Sequence, residues 1–442
     1  MATEHRTAAI LAVGDEIVLG QSLDTNSRWL SQRLFDLGIV PVEHATVGDD
    51  LGAHAAAFRR LAERADMVVC TGGLGPTADD LTRAALAGAS GDTLVEDAGA
   101  LASIEAFLKE RGRAMSPLNR TQARRPSRAA WLPNGHGTAP GLAGEVGACD
   151  VFCIPGPPAE MRPMFEGHVR PRLKPPTDRA VRTRALHCVG LGESDLADRL
   201  GSLMSRDRNP TVGTTASGGV VSVRLRSVAP GEAEAERLLD ADEHEVRRLA
   251  GPHLFGADGE TIAGAVVGRL VARGRGLVVA ESCTGGMLGA MVTQVPGSSA
   301  VFRGGWIVYD NRAKVADLGV PGALLGAGGP GAVSREVAAA MAEGALRHGR
   351  DRDADTALAI TGIAGPEGGS PDKPVGTVFV ALARADAATD VRRFSMAGDR
   401  ESVRRWSALS ALAMLWMHLA GAPATRLLRE IEATTGVSGT GA

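Results

Sequence analysis

Short apolar runs that end at glycine-rich turns recur along this chain. Residues 8–13, 67–70, 277–280 and 358–360 are brief and continuously apolar. That pattern predicts strands buried on both faces, as in a parallel sheet. Trp29, Leu30, Arg33, Leu34 and Leu37 instead fall at helical spacing, with Gly38 placed to close the helix. Further helices are predicted over 261–270, over 287–292 until Pro296 stops it, and over 401–420. The last carries Val403, Trp406, Leu409, Ala413 and Trp416 on one face, which reads as core packing for both tryptophans. Between these regions, Val221, Val223 and Leu225 alternate with Ser222, Arg224 and Arg226, predicting a half-buried strand. A strand over 186–189 and helices over 193–204 and 232–249 complete a small α+β unit. The stretch 162–184, rich in arginine and containing Pro171, Pro175 and Pro176, reads as a solvated exit from the first domain.

The fold class expected is therefore α/β, with an N-terminal open-sheet domain, a small α+β linker domain and a C-terminal α/β domain. The boundaries expected are 1–175, 176–257 and 258–425, with 426–442 a flexible tail; from Thr434 that tail is rich in Gly, Ser and Thr.

Two strand-to-turn junctions carry chemistry in the C-terminal region. Glu281-Ser282-Cys283-Thr284-Gly285-Gly286 joins a strand to a helix, which aims backbone N–H groups and hydroxyls at one point, where the helix dipole favours an anion. Thr361-Gly362-Ile363-Ala364-Gly365-Pro366 is a second junction of the same kind, and two such loops imply a site between strand ends. Tyr309 is the only tyrosine, and Lys109, Lys174, Lys314 and Lys373 are the only lysines, in a chain that otherwise uses arginine. Tyr309 and Lys314 stand close together in Tyr309-Asp310-Asn311-Arg312-Ala313-Lys314. A lysine, unlike an arginine, can lose its proton when desolvated. Taken alone, these two residues read equally well as a tyrosine closing a strand and a lysine on a helix face.

The N-terminal region repeats the design. The run over 67–70 enters Thr71-Gly72-Gly73-Leu74-Gly75-Pro76-Thr77-Ala78-Asp79-Asp80. Glycines let phosphates approach backbone N–H groups, and adjacent carboxylates can hold a divalent cation against a pyrophosphate. Asp79 or Asp80 could equally cap the following helix.

Bulk properties narrow the classes. Among 442 residues the net charge is −3 and aromatics make up 3%, which argues against nucleic-acid partners and base-stacking platforms. The five cysteines, Cys70, Cys149, Cys153, Cys188 and Cys283, lack paired spacing and read as reduced thiols of a cytoplasmic protein. No signal peptide is read at the N-terminus, and the apolar run over 408–420, interrupted by Ser410 and His418, is too short for a membrane span.

The segments 280–286, 297–299, 309–314, 361–369 and 374–378 resemble the C-terminal domain of the CinA family, which is similar to nicotinamide mononucleotide (NMN) deamidase. The Thr71–Asp80 loop, Gly137-Thr138-Ala139-Pro140-Gly141 and Pro155-Gly156-Pro157-Pro158-Ala159-Glu160-Met161 resemble that family's N-terminal, molybdopterin-binding-like domain. The resemblance implies amide hydrolysis with Ser282 as nucleophile in preference to Cys283, Lys314 as base and Tyr309 orienting the proton. Thr284, Gly285 and Gly286 would bind the oxyanion. Thr361, Gly362, Ile363, Ala364 and Gly365, with Asn311 and Arg400, would hold ribose and phosphate, and no metal is required there. For the N-terminal domain it implies ADP-ribose hydrolysis with a divalent metal (Mg, Mn or Co). Gly72, Gly73 and Gly75 would surround the pyrophosphate, with Asp79 and Asp80 near the metal and Asp49 and Glu16 as weaker candidates. Two departures stand out: Gly14-Asp15-Glu16 where the family has Gly-Thr-Glu, and Pro133-Asn134-Gly135-His136 where it has Pro-Asn-Pro. His136 reads as a solvated loop residue rather than a metal ligand. The resemblance further implies a KH-like linker domain. With no Gly-x-x-Gly loop flanked by basic residues, it is expected to serve as a spacer or in a homodimer and not to bind RNA.

Overall fold

Alternation explains the apolar runs. In the computed structural model, which describes residues 4–431, the strand Thr7–Val13 sends Ala9, Leu11 and Val13 into one core and Ala8 and Ile10 into another. The strand Leu277–Glu281 does the same, with Leu277 and Val279 on one side and Val278 and Ala280 on the other. Side chains of successive residues point to opposite faces, so a strand covered on both faces must be apolar throughout.

The chain divides into two compact units. One runs to Arg182 and takes in Val228–Glu236; the other comprises Thr183–Ser227 and the chain from Arg237 onward. The first unit is built on a six-stranded sheet in the order Val40–Val47, Thr7–Val13, Met67–Thr71, Cys149–Ile154, Gly141–Val146, Ala130–Leu132. Its first four strands are parallel and the last two antiparallel. The strand Thr7–Val13 has the next strand in sequence on one side and the third on the other, so its carboxyl end lies at a topological switch point.

The second unit repeats this plan. Its six-stranded sheet has the order Phe302–Ile307, Leu277–Glu281, Thr356–Gly362, Thr377–Arg384, Ala387–Ser395, Glu430–Ile431. The first three strands are parallel and the rest antiparallel. Here the switch point lies between Leu277–Glu281 and Thr356–Gly362. A four-stranded sheet, Thr211–Ser217, Val220–Ala229, Ala180–Val189, Leu254–Ala257, forms the KH-like part. Among the described residues no helix is long and apolar enough to cross a membrane.

Several expectations need correction. The stretch over 162–184 does lead out of the first unit, with Arg162, Arg170 and Arg172 exposed, but it is not irregular: helical turns continue through Arg170–Arg172 and bury Phe165 and Val169, and a strand begins at Ala180. The final helix, Arg400–Leu419, is buried on more than one face, with Ser407, Ala408, Ser410 and Ala411 covered as well as Leu409 and Trp416. The tail expected from 426 is ordered at its start. Leu427 is buried in the core, and Glu430 and Ile431 pair with Phe394 and Arg393. The stretch from Thr434 lies outside the described residues.

Candidate active site

In the second unit the two parallel strands at the switch point deliver Ser282 and Thr361 to the same end of the sheet. Ser282 N–H extends the ladder to Ile360 O at 3.0 Å, so the residue is held by the sheet itself. Beside it opens a cavity of about 180 Å³, lined by Ser282, Cys283, Tyr309, Asn311, Lys314, Ala332, Val333, Thr361, Gly362, Ala364 and Arg400. The two loops and the Tyr309–Lys314 segment thus converge.

Lys314 is 1% exposed. It lies on the helix Asn311–Leu318, whose cap Asp310 accepts the Arg312 N–H. Its Nζ donates to Val308 O at 2.9 Å and Tyr309 O at 3.2 Å. Burial pushes its pKa below the usual lysine value, opposed in part by Asp310. Tyr309, by contrast, is 62% exposed, at the rim. Its hydroxyl accepts a bond from Arg400 Nη2 at 2.9 Å, and Arg400 Nη1 donates to Gly365 O at 2.6 Å. Thr361 Oγ1 donates to Ala332 O at 2.8 Å, which ties a neighbouring loop to the cavity wall. Burial pushes the Cys283 thiol up to about 12, so this rival nucleophile is a protonated core thiol.

The turn after Ser282 differs from expectation. Gly286 N–H donates to Glu281 Oε2 at 3.0 Å, and Gly285 N–H to Ser282 O at 3.2 Å. Leu288 and Gly289 N–H also reach the Glu281 carboxylate, at 3.1 and 2.8 Å. The helix Met287–Thr293 therefore already has its anion in Glu281, which is 1% exposed. Gly285 and Gly286 are not an open oxyanion hole. Thr284, Gly285, Gly286, Ile363 and Gly365 also lie outside the cavity lining. Ile363 N–H is engaged with Thr377 O. Glu281 escaped the sequence reading, although a carboxylate closing an otherwise apolar strand was the visible signal.

In the first unit a cavity of about 360 Å³ opens at the switch point, lined by Gly14, Glu16, Asp49, Gly72, Gly73, Gly75, Asp79, Asp80, Thr138, Gly156 and Glu160 among others. Gly72 has φ +105°, and a Cβ there would lie 2.5 Å from Val13 O; at Gly73, φ +64°, it would lie 2.3 Å from Thr82 Oγ1. The loop needs glycine in order to pack this closely.

Asp80 is a loop brace. Its carboxylate accepts Gly75 N–H at 2.6 Å, Thr77 N–H at 2.8 Å and Thr77 Oγ1 at 2.5 Å. Gly72 N–H in turn goes to Ile154 O at 3.1 Å. Neither glycine N–H meets a phosphate without breaking a bond. Asp79, Asp49 and Glu16 stay near one another: burial raises the pKa of Asp49, and Asp15, Asp79 and Glu16 add to the rise. Among the described residues no three His, Cys, Asp or Glu side chains group as a metal site. Asp80, expected near a metal, has both carboxylate oxygens engaged in bracing the loop.

Asp15, the first departure, has a structural role, and in the second loop the bracing falls to Asn134, which the family shares. Asp15 and Asp49 exchange bonds, Asp15 N–H to Asp49 at 3.2 Å and Asp49 N–H to Asp15 at 3.0 Å, tying the ends of two strands. Asn134 donates to Ala139 O at 2.9 Å and to Glu160 at 2.7 Å and accepts His136 N–H at 3.0 Å, fixing the loop. His136 itself is exposed and does not line the cavity.

Residues 259–419 match the CinA C-terminal domain, 183–256 the damage-inducible protein CinA KH domain and 9–175 a probable molybdopterin binding domain. A putative competence-damage inducible protein of Symbiobacterium thermophilum is 45% identical over 427 residues, covering 94% of this chain and 99% of its own. The chain belongs to the CinA family. A CinA-like protein of Anaeromyxobacter sp. is 43% identical, over 93% of this chain and 98% of its own, and one of Myxococcus xanthus is 41% identical, over 94% and 99%. All three domains of the CinA family are thus present in order, and Ser282, Tyr309 and Lys314 lie within the C-terminal one.

Proposed function

We propose that this CinA family member is a bifunctional hydrolase whose second unit deamidates NMN to nicotinate mononucleotide and ammonia. The reading rests on the lining of one cavity by Ser282, a buried Lys314 of lowered basicity and Arg400. Ser282 Oγ attacks the carboxamide carbon while Lys314, neutral, takes the hydroxyl proton. The C–N bond breaks as Lys314 passes the proton to the departing nitrogen, and water then cleaves the acyl-serine. The positive charge that Lys314 gains, with Arg400 nearby, offsets the tetrahedral oxyanion. Tyr309, tied to Arg400, orients groups at the rim, and the mononucleotide phosphate pairs with Arg400. Ammonia release from NMN by the purified chain and by Ser282→Ala tests this. Equal rates in the two would sink it.

For the first unit we propose ADP-ribose as the ligand, its pyrophosphate against the Gly72–Gly75 loop. A divalent cation would arrive on the pyrophosphate as part of the substrate, facing Asp49, Asp79 and Glu16; a cation such as Mg²⁺ needs just one or two carboxylates besides phosphate oxygens and water. A second reading, that this unit is a non-catalytic nucleotide or pterin sensor, draws support from the engagement of Asp80 in the loop. Release of AMP with Mg, Mn or Co supplied favours hydrolysis, and stoichiometric binding without AMP favours the sensor.

A further inference from the structure

The Ser282–Gly286 turn is gripped from two sides by opposite charges that do not line the cavity. From beneath, Glu281 accepts the N–H groups of Gly286, Leu288 and Gly289 at 3.0, 3.1 and 2.8 Å. From above, Arg404 donates Nη2 and Nε to Thr284 O at 2.8 and 3.3 Å. Arg404 lies one turn along the helix Arg400–Leu419 from Arg400, which does line the cavity. Gly285 N–H closes back on Ser282 O at 3.2 Å.

We infer that Glu281 and Arg404 are positioning residues that clamp this turn and thereby fix the Ser282 hydroxyl for attack; this rests on the reading of Ser282 as nucleophile. The clamp divides the labour. Glu281 neutralises the positive end of the helix Met287–Thr293, so that end contributes no field to an oxyanion, and its three bonds set the direction in which the chain leaves Ser282. Arg404, through a fork that lysine lacks, fixes the peptide carbonyl two residues further on. A buried carboxylate with three N–H donors is strongly held, and replacing it leaves those donors unsatisfied. Neither side chain needs to meet substrate to do this.

The test uses the full chain as wild type, Ser282→Ala, Glu281→Gln and Arg404→Met. Ammonia release from NMN is measured over a range of substrate concentrations, with amide hydrogen exchange at Gly286, Leu288 and Gly289. Misplacing a nucleophile by an ångström can cost up to ~100-fold, so kcat should fall at least about tenfold in either clamp variant while KM stays within about twofold. Exchange at the three amides should quicken in Glu281→Gln. An active wild type whose two clamp variants keep its kcat would overturn the proposal. A silent wild type would overturn the NMN reading instead, and the exchange data would still decide the clamp: unchanged protection in Glu281→Gln rejects it. Should Glu281→Gln fail to fold, Arg404→Met carries the kinetic test, and the wild type must show the three amides protected beyond their neighbours in the turn.

Discussion

Arg400 holds Tyr309. The guanidinium donates to the exposed phenol oxygen at 2.9 Å and to Gly365 O at 2.6 Å, so one side chain ties the rim tyrosine to the second loop. Replacing it by Met frees Tyr309 and removes the charge offered to a phosphate. A hydrogen bond to a charged group is worth roughly 1.5–3 kcal/mol, so KM for NMN should rise about tenfold or more. Arg400→Lys should not restore it, because a lysine cannot reach both oxygens with a planar fork. Steady-state kinetics on the two variants provide the check.

The pH profile should report Lys314. Burial penalises its charged form, so the neutral amine persists to lower pH than in a free lysine. Ammonia release should therefore fall as pH drops through that lowered value and level off above it. The same sign applies to stability: the unfolded chain binds this proton more tightly, so any contribution from Lys314 is present above the free-lysine value and is lost as pH falls through the folded one. Lys314→Met should abolish release at every pH; a surviving acid limb would assign it to another group.

Cys283 should be dispensable. Burial pushes its thiol up to about 12, so the reactive thiolate is disfavoured at neutral pH. Cys283→Ala should keep most of the ammonia-releasing activity, and iodoacetamide should leave the wild type active. Loss of activity in either experiment would reopen the choice of nucleophile.

In the first unit Asp80 and Asp49 should separate. Asp80→Ala removes the acceptor for Gly75 and Thr77, at about 1 kcal/mol per lost bond, and should lower the melting temperature and weaken ADP-ribose binding together. Asp49→Asn should leave ADP-ribose binding without metal unchanged and alter its dependence on divalent cation. Thermal melts and calorimetric titration with and without Mg²⁺ distinguish the two outcomes.

The architecture was legible because both sheets bury two faces: runs such as Met67–Thr71 and Leu277–Glu281 had to be apolar at every position, up to the residue where each strand ends. The convergence of Ser282 and Thr361 was legible too, since two strand-to-glycine-loop junctions in one domain place their loops at the same end of the sheet, whereas Tyr309 and Lys314 were joined to them only through the family resemblance. What the residues did not reveal was which N–H groups stay open. Asp79 and Asp80 are adjacent and chemically alike, and only the folded path of the loop turns Asp80 back onto Gly75 and Thr77. Glu281 likewise reads as the end of a strand until the chain doubles back and brings Leu288 and Gly289 over its carboxylate. The final helix was read as one-faced because periodicity shows the stripe toward one partner, whereas helix Arg400–Leu419 packs against the helix Ile262–Ala272 as well as the sheet.

The order in which the cavity wall is made has a consequence for synthesis on the ribosome. Ser282 emerges first, then Tyr309, Lys314 and Thr361, and Arg400 last, while the edge of the same sheet waits for Glu430 and Ile431. Domains generally fold as units, earliest first. A nascent chain can thus complete the cavity of its first unit while the Ser282 cavity still lacks the arginine that closes its rim, so the second cavity gains its full wall only when Arg400 has emerged.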